Sequence, residues 1–135
     1  MDLMCGKFQQ ESSENLDEFF RAVGMPYLVR LMVCASKPCM EFTKVGDKWT
    51  SKTSTLLRTT ELSFVEGEEY TEKMQSGVEL KNKTEIQGDE MITKSKSPDG
   101  QEVSRSFKFS EKDMVMTLTH HSGVQAKRYF KRIEE

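Results

Sequence analysis

From Cys39 to the C-terminus one unit repeats: a run of residues that alternates with a period of two, then a short polar turn. The turns are Val45-Gly46-Asp47, Glu66-Gly67-Glu68, Gln75-Ser76-Gly77, Gln87-Gly88-Asp89, Ser97-Pro98-Asp99-Gly100 and Ser110 to Asp113. A period of two sends successive side chains to opposite faces of a strand, and turns every ~8–12 residues are the spacing of an antiparallel meander. With a short opening strand at Gly6 to Gln10, roughly ten short strands are predicted. An open sheet of that size leaves two free edges, which closure into a barrel removes. The chain therefore reads as all-β, an antiparallel up-and-down barrel, in a single domain over residues 1–135.

Only the stretch between the first two strands departs from this pattern. Leu16, Phe19, Phe20 and Val23 recur at helical spacing. Ser13 or Asn15 stands where a helix cap belongs, Asp17 and Glu18 suit the positive end of the helix dipole, and Gly24 ends the helix. Pro26 opens a second helix, in which Tyr27, Leu28, Leu31, Met32 and Ala35 form an apolar face of their own, and Lys37-Pro38 stops it. A DNA-reading helix–turn–helix is not implied, since neither helix is strongly basic and the rest of the chain is β.

Lys plus Arg total 20 against 22 Asp plus Glu, a balance that argues against a dedicated nucleic-acid binder. The three cysteines, Cys5, Cys34 and Cys39, follow no metal spacing, and His120 and His121 are adjacent on a strand and so point opposite ways. No metal site and no cofactor are expected. Cys34 or Cys39 with a histidine base is the one enzymatic arrangement available, but the histidines lie far along the chain. No Gly-rich phosphate loop and no carboxylate pair stand out, so the reading is non-enzymatic. MDLMCGKF lacks a charged start followed by an apolar run, and no stretch approaches ~18–20 apolar residues. Free thiols without a signal peptide place the protein in the cytoplasm and count against an extracellular lipocalin-like carrier.

The last strand carries the most pointed clue. Val124, Ala126, Arg128 and Phe130 share one face, which is apolar except for a single guanidinium. Burying an ionised group costs several kcal/mol unless it is paired, so Arg128 calls for a buried carboxylate, a wet rim or an anion that comes and goes. Ser51, Thr53, Thr55, Asn82, Thr84, Thr93, Ser95 and Arg105 fall on inward faces too. A dry core does not leave so many polar groups unpaired, whereas an interior holding water and a ligand accepts them.

These residues resemble the intracellular lipid-binding proteins, the fatty-acid-binding and cellular retinoic-acid-binding proteins. Gly6-Lys7-Phe8 followed by Ser12-Ser13-Glu14-Asn15-Leu16-Asp17 is similar to the family's opening signature. So are Val23-Gly24, Lys37-Pro38, the strand Arg58-Thr59-Thr60-Glu61-Leu62-Ser63-Phe64, Gly67-Glu68-Glu69-Tyr70 and the closing Arg128-Tyr129-Phe130. The resemblance runs nearly end to end. It implies a ten-stranded, lipocalin-like clam with a two-helix lid between the first two strands.

It also implies a carrier that solubilises and transports a long-chain fatty acid, or alternatively a retinoid, with no catalytic residue and the monomer as default. Acid-binding members use two inward arginines and a tyrosine. Arg128 matches the last-strand arginine, Phe130 replaces the tyrosine, and Phe107 stands where the other arginine is common. Arg105 lies two residues earlier on the same face, which makes it the second candidate for the carboxylate; the Phe107 departure keeps a neutral or bulkier lipid open. Phe19, Phe20, Pro38, Met40, Thr53, Thr55, Leu57, Phe107, Met116, Leu118 and Phe130 are the candidate lining for the tail. Leu16 and Leu57 replace phenylalanines common in the family, and Gln10 stands where an apolar residue is usual. Arg21, Arg30, Lys37 and Arg58 are the basic residues through which the lid would touch anionic membranes transiently.

Overall fold

The computed structural model describes residues 3–74 and 78–134. The predicted turn Gln75-Ser76-Gly77 lies outside the described residues. The strands are β1 (Gly6–Glu14), β2 (Cys39–Val45), β3 (Lys48–Ser54), β4 (Thr59–Val65), β5 (Glu69–Lys73), β6 (Glu79–Gln87), β7 (Glu90–Lys96), β8 (Glu102–Phe109), β9 (Asp113–His120) and β10 (Gln125–Glu134). Helices α1 (Leu16–Ala22) and α2 (Tyr27–Ala35) sit between β1 and β2. One antiparallel sheet runs in the order β4-β3-β2-β1-β10-β9-β8-β7-β6-β5. The chain thus forms an all-β barrel with a helical cap. β4 and β5 are the sheet's two ends, and Phe64 on β4 stacks on Tyr70 of β5 with ring centroids 5.2 Å apart.

The alternation read from the sequence is the alternation seen. On β10, Ala126, Arg128 and Phe130 are buried; on β6 and β7, Asn82, Thr84, Thr93 and Ser95 are buried. The barrel interior is zoned along its axis. Away from the helices, Phe8, Phe42, Trp49, Phe64, Met91, Phe109, Met114 and Phe130 pack as one apolar floor. Edge-on ring pairs tie it together, among them Phe42–Phe109 at 5.3 Å and Phe8–Phe109 at 5.6 Å, each worth about 0.5–1.5 kcal/mol beyond burial. Arg132 clasps this end, donating to the carbonyls of Leu3, Cys5, Ser110 and Glu111 while its guanidinium lies 4.5 Å from the Phe8 ring centroid. Under the lid, Leu16 and Phe19 pack on Leu118 and Ala126.

Four local expectations are corrected. The opening strand runs on to Glu14, because Ser12, Ser13 and Glu14 pair with Tyr129, Arg128 and Lys127 across a bulge after Gln10. Ser13 is therefore no cap. Asn15 is, but in the left-handed conformation (φ 59°), with its amide donating to the Gln125 carbonyl instead of its own helix. Thr55 lies beyond β3, in the turn, where its amide and hydroxyl both bond to the Arg58 carbonyl.

The fourth concerns α2. None of its residues is buried, and Tyr27, Leu28, Leu31 and Met32 are 49–72% exposed. The helix is turned so that Arg30, Val33 and Cys34 face inward. On that inward side Arg30 pairs with Asp17 of α1 at 2.9 Å and bonds to the Met25 carbonyl, contacts that hydrophobic periodicity does not register.

Candidate functional site

Arg128 is 6% exposed, on the inward face of β10. Its register partner Met116 on β9 pairs in turn with Phe107 on β8, so the three share one layer of the wall. The guanidinium donates to Gln10 Oε1 at 2.5 Å, to the Ser36 carbonyl at 3.3 Å and to the Val33 carbonyl at 3.3 Å. All three acceptors are neutral, and the two carbonyls belong to the C-terminal end of α2. No carboxylate bonds Arg128 among the described residues. Burial pulls its pKa down and the neighbouring Cys34 sulfur pushes it back up, but a guanidinium stays charged throughout the accessible pH range. Three of its five N–H donors are used, which leaves donors for an incoming anion. The same surroundings act on Cys34, whose thiol is pushed up by burial and by Asp17 against the opposing pull of Arg128 and Arg30.

Arg105 also faces inward, and its position differs from that of Arg128 in a way that matters. It pairs with Leu118, opposite Ala126, which sets it one layer nearer the lid than Arg128. One strand, β9, lies between the arginines, and two strand spacings put them roughly 10 Å apart across the wall and roughly 7 Å along it. Arg105 is already neutralised: it meets Glu72 at 2.7 Å, and each side chain is 20% exposed. It also donates to Ser95 Oγ at 3.2 Å. Burial pushes the Glu72 carboxyl up, but Arg105's charge and the hydrogen bonds from Arg105 and Asn82 outweigh it and hold the group below its ordinary value. Asn82 donates to the same Glu72 oxygen at 2.8 Å, while its own Oδ1 is buried with no hydrogen-bond partner. Beside them Tyr70, Thr84 and Thr93 form a hydroxyl chain with both links at 2.7 Å.

β5 to β8 thus supply a polar wall. The remaining candidate residues form its apolar counterpart. Phe19, Met40, Phe107, Leu118 and Phe130 are buried, as is Pro38, while Phe20, Thr53 and Met116 are half-buried. Leu57 is 85% exposed and Thr55 is exposed, so both lie at the β3–β4 turn outside the interior. Of the four basic lid residues, Arg21 and Arg30 are occupied by Asp17 and Glu18. The sequence reading missed three contributors: Glu72, the α2 carbonyls and the role of Gln10, which is 3% exposed. Gln10 did carry a signal, as a polar residue where an apolar one is usual.

Comparison with known proteins follows from this geometry. Residues 5–132 match the model of the lipocalin / cytosolic fatty-acid binding protein family. The sodium/calcium exchanger regulatory protein 1 of Doryteuthis pealeii is 34% identical over 131 residues, covering 97% of each chain. A fatty acid-binding protein of Clonorchis sinensis is 33% identical over 134 residues, 98% of this chain and 99% of that one. Among solved structures, the REP1-NXSQ fatty acid transporter superposes with a TM-score of 0.88 at 34% identity, covering 97% of this chain and 96% of the other.

Proposed function

The chain belongs to the lipocalin / cytosolic fatty-acid binding protein family, and from that premise we propose that it is a non-enzymatic cytoplasmic carrier whose barrel interior binds one long-chain fatty acid. The observation that carries this reading is Arg128, a buried cation with only neutral partners among the described residues. A carboxylate supplies the missing charge, and a charge-assisted, two-pronged contact fixes the head group. The tail then runs along Met40, Phe107, Met116 and Phe130, where each buried methylene contributes roughly 0.8 kcal/mol. Arg105 is the second carboxylate candidate, but it reaches an outside anion only by sharing itself with Glu72. The fatty acid-binding and fatty acid-transporting relatives support the ligand class.

Lipid exchange at a membrane fits the lid. Tyr27, Leu28, Leu31 and Met32 on α2 and Leu56 and Leu57 on the β3–β4 turn are exposed, with Lys37 and Arg58 beside them in sequence. That surface meets a bilayer by apolar insertion more than through the paired Arg21 and Arg30.

The test is binding of a long-chain fatty acid and of retinoic acid to delipidated protein, native and with Arg128→Ala or Arg105→Ala. The fatty acid binds the native chain, and Arg128→Ala weakens it about 10- to 100-fold, the worth of a hydrogen bond to a charged group. Arg105→Ala weakens it less. Preference for retinoic acid changes the ligand but keeps the anchor. Binding of neither acid refutes the reading.

A further inference from the structure

Asn82 holds the one buried side-chain oxygen or nitrogen, among the described residues, that lacks a hydrogen-bond partner. The residue is 1% exposed and lies on the inward face of β6, opposite Ser95 of β7. Which end of the amide points where is fixed by Glu72. Held ionised by Arg105, that carboxylate accepts hydrogen bonds only, so the Asn82 NH2 must face it and the carbonyl oxygen must face away. A buried acceptor without a donor costs about 1–3 kcal/mol. Its neighbours do not supply the donor. Arg105 turns its Nη2 group to Glu72 and Ser95, Thr84 is bonded into the Tyr70–Thr84–Thr93 chain, and no donor of either reaches Asn82 Oδ1. Nor is an anion welcome here, since the Glu72 carboxylate is adjacent.

The position of the group decides what can reach it. β6 is four strands from β10, so Asn82 faces the interior from a different wall than Arg128. A lipid anchored on Arg128 by its carboxylate meets Asn82 with a different part of its chain. Resting on the carrier reading above, we infer that the Glu72–Asn82–Arg105 cluster is a second, acceptor-type station that selects fatty acids bearing a hydroxyl group along the chain. The hydroxyl donates to Asn82 Oδ1. The polar wall of Tyr70, Thr84, Thr93 and Ser95 surrounds it with groups that tolerate an oxygen where a plain chain would have methylene. An unsubstituted fatty acid presents only C–H to the same oxygen and leaves it unsatisfied.

The experiment is competition binding to the delipidated full chain, using stearic acid and hydroxystearic acids with the hydroxyl in mid-chain and at the chain end. One of the hydroxylated acids binds the native chain about three- to tenfold more tightly than stearic acid, the net worth of one hydrogen bond. Asn82→Leu, close to isosteric, abolishes that preference, so that the hydroxylated acids bind the variant no more tightly than stearic acid does. If Asn82→Leu does not fold, Asn82→Thr and the Asn82 side-chain amide resonances of the native protein carry the test. Those resonances shift with the hydroxylated acid and not with stearic acid. Equal binding of all the acids by the native chain overturns the inference and leaves the carrier reading standing, because interior water then serves Asn82. Binding of none of them overturns both.

Discussion

Gln10 and Arg128 lie 118 residues apart and share the shortest hydrogen bond to the guanidinium, at 2.5 Å. Gln10 is 3% exposed and Arg128 6%, so both partners are buried. Arg128→Leu removes a desolvated cation, a relief of several kcal/mol, but it leaves the Gln10 oxygen as a buried orphan at a cost of about 1–3 kcal/mol. Of the two carbonyls that Arg128 also reaches, that of Val33 keeps the Ser36 N–H and hydroxyl as donors, and that of Ser36 is on a half-buried residue. Gln10→Leu alone is the worst case, because it strips a buried charge of its best acceptor. The double variant leaves neither orphan. In urea unfolding it exceeds Arg128→Leu by about 1–3 kcal/mol, a midpoint shift of roughly 0.5–1.5 M at a slope near 2 kcal/mol/M. Long-chain fatty acid raises the native midpoint more than that of either variant lacking Arg128. If the two substitutions add to within about 0.5 kcal/mol, they do not interact, and the account of Gln10 as the cation's resident acceptor is wrong.

Three further outcomes follow from the same geometry. Glu72 has a folded pKa below its ordinary value, so its stabilising contribution is present above the unfolded carboxylate's ~4.3 and is lost as pH falls through the folded value. Urea midpoints measured from about pH 6 down to about pH 3 therefore drop more steeply for the native chain than for Glu72→Gln. On the lid, Leu28→Ser with Met32→Ser lowers partitioning onto phospholipid vesicles roughly tenfold while leaving fatty-acid binding in solution intact, read by co-sedimentation. The third outcome concerns ligand charge. Glu72 cancels Arg105, so Arg128 leaves the interior with one positive charge for a ligand to cancel. A chain-matched alkyl phosphate binds more weakly than the carboxylate at a pH where it is a dianion, and the gap narrows as it is protonated near pH 6.

The fold was legible because its signal is local. Turn residues at regular spacing and a period of two between them specify a meander, and parity alone placed Asn82, Thr84, Thr93, Ser95 and Arg128 on the inner face. The first helix was legible for the same reason: Leu16 and Phe19 are the residues it buries. The second was not. Its apolar stripe of Tyr27, Leu28, Leu31 and Met32 is the exposed side, and the side turned inward carries Arg30, which pairs with Asp17, thirteen residues earlier. Periodicity measures hydrophobic preference within one segment and does not say which side of that segment meets the rest of the chain.

The site was legible in part, and the missing part is long-range. Parity says which face a residue takes but not which residue meets it across the barrel. Glu72 could not be assigned to Arg105 without knowing that β5 and β8 sit close enough for a 2.7 Å contact. Departures from the family's pattern carried more information than agreements. An inward polar group in a low-dielectric interior is stable only with a complement, so departures arise in compensating sets. Gln10 in place of an apolar residue is the acceptor for Arg128. Phe107 in place of an arginine removes a cation from the Arg128 layer, and Arg105 restores it one layer nearer the lid, where Glu72 can reach it. The paired cation then holds Glu72 ionised, and Glu72 in turn orients Asn82 with its oxygen unpaired. A displaced arginine therefore changes more than where a carboxylate sits: it converts the upper interior from a donor site for anions into an acceptor site for hydroxyls.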